Sequence, residues 1–333
     1  MTTVDPRVGD LSEGAILRRI LDRLGPSTAL VGPGDDAAVL AAPDGRVVAT
    51  TDTLVHGPDF RLAWSSAFDL GWKSAAVNLA DVAAMGARPT ALLVALAMPD
   101  DTRLSWVEGF ADGLRAACEA LAPGCAVEGG DLTVSDTLTI AVTALGSLDG
   151  RSPVLRSGAR PGDVVAVAGE LGQAARGLEI LFSTFTDADG APVALDPELL
   201  TALPTGADAM AVMMQLRPRP PVSMGAFGAV EGATAMMDVS DGLMLDASRM
   251  ADASGVTIDI ESRWLGADVE RALSGGEDHS LLVTFPAGTA LRGGFREIGA
   301  VRERGAAPVT VDGVARSGSS GWDPYRDWDS GRG

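Results

Sequence analysis

FDLGWKSAAVNLADVAAM (residues 68–85) is a run of Ala, Val, Leu and Trp broken by a few polar residues at regular intervals. Its composition and length predict a helix. Ser74, Asn78 and Asp81 stand at i, i+4 and i+7 and form one polar stripe along it. A carboxylate among apolar neighbours is costly unless something cationic meets it, so the stripe is expected to face a site and not the core.

Downstream, ALLVALAM (91–98) reads as an apolar strand, and 105–122 as a helix with Leu, Phe and Ala at helical spacing. Upstream lies a short helix over about 11–24. AAVLAA (37–42) and VVATTDTLV (47–55), joined by Pro43-Asp44-Gly45-Arg46, then read as a β-hairpin turning on Asp-Gly. CAVEGGD (125–131), a turn at 134–136 and TLTIAVTALGSL (137–148) read as a second strand pair. The Pro-, Gly- and Arg-rich stretch 150–163 is the expected boundary between domains 1–149 and 150–333. Beyond it VVAVAG is a strand and 171–182 a helix, with alternation to about residue 314. The expected class is two α/β or α+β domains.

With 333 residues and 46% apolar content the chain can bury two cores. Its 45 acidic and 26 basic residues leave a net charge of −19, which repels nucleic acid and anionic membranes. Lys73 is the sole lysine, and no Gly-x-x-x-x-Gly-Lys loop occurs, so phosphate must be met by Arg or by metal ions. Lying mid-helix beside Trp72, Lys73 itself is expected to snorkel or to pair with an acid. Cys118 and Cys125 carry neither zinc spacing nor a disulfide framework. No apolar run is long enough to span a bilayer and the first residues lack a leader pattern, so a cytoplasmic protein is expected.

Aspartates recur beside glycines and at strand ends, in Gly34-Asp35-Asp36, Thr50-Thr51-Asp52, Asn78-Leu-Ala-Asp81, Gly129-Gly130-Asp131, Asp238-Val-Ser240-Asp241-Gly242 and Gly275-Gly276-Glu277-Asp278. Any one of these could be a solvated turn. Together, in apolar surroundings and without Cys or clustered His, they form a hard-oxygen set suited to Mg²⁺. The EF-hand pattern, a G-x-S-x-G elbow and a G-x-G-x-x-G loop are missing, and neither His56 nor His279 has an evident activating partner.

GPGDDAAVL, TTDTLV, DLGWKSAAVNLADVAAMGARP, EGGD, VLRSGARPGDVVAVAGELG, LRPRPPV, MDVSDGL, LSGGEDHSLLVTF, IGAV and GWDPY follow one another from Gly32 to Tyr325. In that order and spacing they resemble the thiamine-monophosphate kinases, whose fold is like that of the aminoimidazole-ribonucleotide synthetases. The resemblance implies an N-terminal β-sheet domain that pairs with its twin into a barrel across a homodimer, a C-terminal α/β domain, and ATP in the cleft between them. It further implies that Asp36, Thr50, Thr51, Asp52, Asp81, Asp131, Asp238 and Asp241 hold several Mg²⁺ ions on the ATP phosphates. By the same resemblance Gly130, Arg156 and Ser240 contact the nucleotide, while Asp59, Glu277 and Trp322 contact thiamine phosphate. Asp59 stands where many relatives have histidine, and as a carboxylate it suits the cationic thiazolium.

Within the same superfamily, selenophosphate synthetases would want a reactive Cys and Lys near the N-terminus, and none precedes Lys73. Hydrogenase-maturation relatives end in cysteine, whereas this chain ends in Ser-Gly-Arg-Gly. A non-catalytic acidic metal-binding module is the alternative from another class.

Overall fold

The computed structural model describes residues 5–33, 37–316 and 321–322; Asp36 and Tyr325 lie outside them. After α1 (Glu13–Leu24) the chain forms β1 (Val48–Val55), α2 (Ala67–Ala84), β2 (Arg88–Met98), α3 (Leu104–Leu121), β3 (Ala126–Val134) and β4 (Thr139–Ser147). Its first sheet has the order β1-β4-β2-β3.

Both expected hairpins give way to other pairings. The turn at 42–45 forms, with Gly45 N–H donating to the Ala42 carbonyl at 2.9 Å. Residues 37–42 nevertheless make no strand, because Val39 bridges back to Val31, and β1 pairs antiparallel with β4. Nor do β3 and β4 pair with each other: β2 lies between them, parallel to β3 and antiparallel to β4. The cause is α3, a helical crossover of the kind that joins parallel neighbours, which sets β3 on one side of β2 and leaves the other side for β4.

The helix predicted over 68–85 is α2. Ser66 caps it reciprocally with Asp69, and nearly every position is buried, as expected of a helix apolar all round. It packs against α3, and the crossing depends on two glycines. A Cβ on Gly71 would stand 2.1 Å from the Phe110 carbonyl oxygen, and one on Gly113 2.2 Å from that of Phe68. Backbone cannot yield as a flexible side chain can, so Gly113→Ala is expected to cost about 3 kcal/mol or more. An unchanged urea midpoint would contradict this reading of the crossing.

The second sheet is assembled from β5 (Val164–Ala168), β6 (Ala235–Val239), β7 (Thr257–Ile260), β8 (Ser280–Phe285), β9 (Arg296–Arg302) and β10 (Val309–Val311), in the order β10-β7-β9-β5-β8-β6. Around it run α4 (Gln173–Thr184), α5 (Pro197–Thr201), α6 (Gly206–Leu216), α7 (Val222–Val230), α8 (Leu243–Ser254) and α9 (Val269–Ser274). The fold is thus mixed α and β with two sheets, and each sheet has its own buried core.

Two tryptophans tie the halves together. Trp72 Nε1 donates to the Pro218 carbonyl at 2.7 Å and Trp64 Nε1 to that of Phe185 at 2.9 Å, satisfying both buried indoles across the junction. Among the described residues no helix is long and apolar enough to cross a membrane.

Candidate active site

Where α2, β1, α4, α6 and the β6–α8 turn converge, a cavity of about 510 Å³ opens between the two sheets. One end is acidic. Asp52 comes from β1, Asp81 from the C-terminal part of α2, Asp238 from the end of β6, and Ser240 and Asp241 from the turn that follows.

The polar stripe of α2 builds this end in steps. Ser74 donates to the Gly71 carbonyl of its own helix at 3.2 Å. Asn78 donates to Ser74 O at 2.9 Å and accepts from Asp52 N–H at 3.1 Å, which fixes β1 to the helix. Asp81 reaches the cavity itself and accepts from Thr50 Oγ1 at 2.8 Å. Burial, then the charges of Asp238 and Asp52, push the Asp81 carboxyl up to about 7. Burial likewise raises Asp52, against the opposing charge of His279.

His279 is buried, with Nδ1 3.2 Å from Asp238 Oδ2. Burial disfavours its charged form, yet the hydrogen bond and charge of Asp238 lift its pKa above the ordinary value. The histidine expected to lack a partner therefore has a carboxylate.

Asp246, inconspicuous in the sequence, shapes the β6–α8 turn. It is fully buried in α8 and accepts from the backbone N–H groups of Ser240 and Asp241, each at 3.0 Å. Arg249 Nη1 bridges Asp246 and Asp241 at 2.7 and 2.6 Å. Desolvation raises the Asp246 pKa to about 6, against the backbone hydrogen bonds that favour its charge. Asp246→Ala leaves two partly buried backbone donors and the Arg249 guanidinium short of an acceptor and is expected to cost roughly 2–4 kcal/mol. Asp246→Asn keeps an acceptor and should retain most of that stability in a denaturant titration; equal losses would contradict the proposed role.

The other end is partly aromatic, lined by Phe60, Trp64, Leu178, Phe182, Asp59 and Glu277. Asp59 Oδ2 accepts from Val55 N–H at 2.7 Å, and burial raises its pKa. Glu277 Oε2 receives Lys73 Nζ and Gln215 Nε2, both at 2.6 Å. The charge and hydrogen bond of Lys73 outweigh burial and hold the Glu277 pKa below its usual value. Trp322 borders the cavity and donates its backbone N–H to Asp241 O at 2.9 Å.

Thus Asp52, Asp59, Asp81, Asp238, Ser240, Asp241, Glu277 and Trp322 share one cavity, with Thr50 bonded to Asp81. The remaining described residues of the expected set lie apart. Thr51 alternates to the other side of β1, where its hydroxyl donates to Val142 O and accepts from Thr143 Oγ1. Gly130 and Asp131 are on β3, the opposite edge of the sheet, where Asp131 is exposed. The register runs from Asp52 through Val142 and Val94 to Gly130, three strand spacings or roughly 14 Å. Arg156 is exposed in a short 3₁₀ turn, with its carbonyl accepting from Ser254 Oγ at 2.8 Å.

Sequence reasoning alone does not reach Gln215, His279 or Arg61, which also line the cavity, or its aromatic wall. Lys73, expected to snorkel or to pair with an acid, pairs with Glu277 at the cavity.

Among the described residues no three His, Cys, Asp or Glu side chains close a metal site by themselves. The donors nevertheless fit magnesium, because they are hard oxygens and because burial and mutual repulsion raise Asp81 to about 7, the mark of a site short of positive charge. Mg²⁺ characteristically takes one or two carboxylates and fills its shell with water and substrate phosphate.

Residues 34–148 match the family described as AIR synthase related protein, N-terminal domain. The thiamine-monophosphate kinase of Mycobacterium tuberculosis (strain H37Rv) is 39% identical over 346 residues, covering 99% of this chain and 96% of that protein. The thiamine-monophosphate kinase of Corynebacterium glutamicum is 41% identical over 336 residues, covering 95% and 94%. Among solved structures, thiamine-monophosphate kinase from Stenotrophomonas maltophilia K279a superposes with a TM-score of 0.75 at 34% identity, covering 92% of this chain and 98% of that one. AaThiL complexed with AMPPCP and TMP superposes with a TM-score of 0.71 at 31% identity, covering 97% and 99%.

Proposed function

Because the chain belongs to the thiamine-monophosphate kinase family, we propose that its cavity brings ATP and thiamine phosphate together and passes the γ-phosphoryl group of ATP to the acceptor phosphate, yielding thiamine diphosphate. One observation carries this reading: a crowded carboxylate end and an aromatic end with two further carboxylates share a single cavity. Thiamine phosphate has the matching asymmetry, an anionic phosphate at one end and a cationic aromatic ring at the other. Asp59 and Glu277 suit the ring, and the indole of Trp322 offers a flat face to it.

Asp52, Asp81, Asp238 and Asp241, with Thr50 behind Asp81, would hold magnesium. Held by these residues, magnesium would supply the positive charge that phosphoryl transfer needs offset. The protein's own residues supply positioning. Asn78 fixes the backbone of Asp52, Asp246 fixes that of Ser240 and Asp241, and the tryptophan contacts hold the two halves in register. No general base is needed, since a phosphate acceptor with a second pKa of about 6 is already largely ionised at neutral pH. Asp36, Thr51 and Asp131 belong to the same reading as further metal-holding residues, and Gly130 and Arg156 as nucleotide contacts, with the domains divided at 149/150.

Transfer is direct. The His279–Asp238 contact gives a phosphohistidine relay its one point of support, and stereochemistry separates the two. Chiral γ-phosphate should invert, with turnover of ATP stimulated by thiamine phosphate and not by thiamine. Retention, or stimulation by thiamine alone, would overturn the reading.

The protein is proposed to be a cytoplasmic homodimer. β1 and β3 are both edges of the first sheet, with Val134 on β3 72% exposed, and unpaired edges of this kind call for cover. Sedimentation at micromolar concentration should give twice the chain mass of 34.0 kDa; a monomer would contradict the dimer.

A further inference from the structure

We propose that Lys73 and Gln215 are positioning residues that clamp one oxygen of Glu277 and so present the remainder of that carboxylate, charged, to the cationic ring of thiamine phosphate. This rests on reading the cavity as the thiamine phosphate site. Two donors from two halves of the molecule, Lys73 on α2 and Gln215 on α6, converge on the same atom, Glu277 Oε2, each at 2.6 Å. An ion pair serving only the core would hide both partners. Here the Lys73 side chain is 5% exposed while that of Glu277 is 39% exposed, so the ammonium is sealed away and the carboxylate faces the cavity.

The surrounding chain is built to keep it there. Glu277 lies in the left-handed region at φ 64°, as does His279 at 52°, conformations that non-glycine residues hold only under constraint. Backbone bonds from Glu277 N–H to Ser240 O at 2.7 Å and from His279 N–H to Val239 O at 3.0 Å supply that constraint. Gln215 bears a cost as well, for its Oε1 is buried without a partner among the described residues. Turning the amide over would aim that oxygen at the carboxylate, so its orientation is dictated by Glu277.

The test compares steady-state kinetics of the full-length protein with Lys73→Met, Gln215→Leu, Glu277→Gln and the Lys73→Met/Glu277→Gln pair. Lys73→Met should raise KM for thiamine phosphate by about 10-fold or more while kcat and the KM for ATP stay within about 3-fold. Gln215→Leu should do the same more weakly, and it carries the test if Lys73→Met does not fold. The double variant should be no worse than Glu277→Gln alone, since Lys73 acts through Glu277. Multiplied losses in the double variant, or a fall in kcat at unchanged KM, would overturn the clamp. Absence of thiamine diphosphate from the unmodified protein would instead overturn the reading of the cavity.

Discussion

Asp81→Asn is expected to lower turnover on the order of 10²–10³-fold while making the metal-free protein more stable above neutral pH. The two effects share one cause. Asp81 is mostly buried and stands in the fields of Asp238 and Asp52. Ionised without a cation, it strains the fold; with magnesium and phosphate present it would supply the oxygen the metal needs. Asn keeps an acceptor for Thr50 Oγ1 but removes the charge.

Linkage fixes the pH window. The Asp81 carboxyl moves from 3.8 to about 7 on folding, so in the folded state it binds its proton more tightly, and stability falls as pH rises between those values. The advantage of Asn should be absent below about pH 4, grow across the interval and level off above about 7. Melting curves of both proteins in chelator from pH 4 to 8 measure it. A destabilised variant at pH 8, or near-normal turnover, would contradict the assignment.

Glu277→Lys is the second large effect expected. It sets two ammonium groups where a 2.6 Å ion pair stands and turns the Gln215 amide donor against a third donor. Like charges so placed cost roughly several kcal/mol, softened here because the site opens to the cavity. The same reversal repels a cationic ring, so KM for thiamine phosphate should rise on the order of 100-fold, a loss of about 2.7 kcal/mol in binding. ATP binding at the carboxylate end should change far less. Equal losses for both substrates would locate Glu277 outside the acceptor site.

Much of this is legible in the sequence. Helical spacing puts Ser74, Asn78 and Asp81 on one stripe, a local property, but only Asp81 lines the cavity, while Ser74 and Asn78 are buried beneath it. Asp52, Asp238 and Asp241 can be named as a set, since carboxylates at strand ends in apolar company need a cation to meet them. Pairing of the strands is not legible. Nothing local to β3 and β4 reveals that β2 enters between them, and the Asp44-Gly45 turn forms without the hairpin it usually signals. Nor can sequence order reveal that Lys73 and Gln215 meet on Glu277, across separations of 204 and 62 residues. Asp246 stays hidden for a further reason: an acidic residue in the first turn of a helix is commonplace, and only its burial under two backbone donors marks it.

The most direct test of the central claim is ³¹P NMR of the purified protein with ATP, magnesium and thiamine phosphate. The account predicts that the thiamine phosphate singlet gives way to the coupled pair of thiamine diphosphate, with one ADP formed per product, no inorganic phosphate, and no reaction in chelator. ATP hydrolysis to free phosphate with thiamine phosphate left unchanged would contradict it.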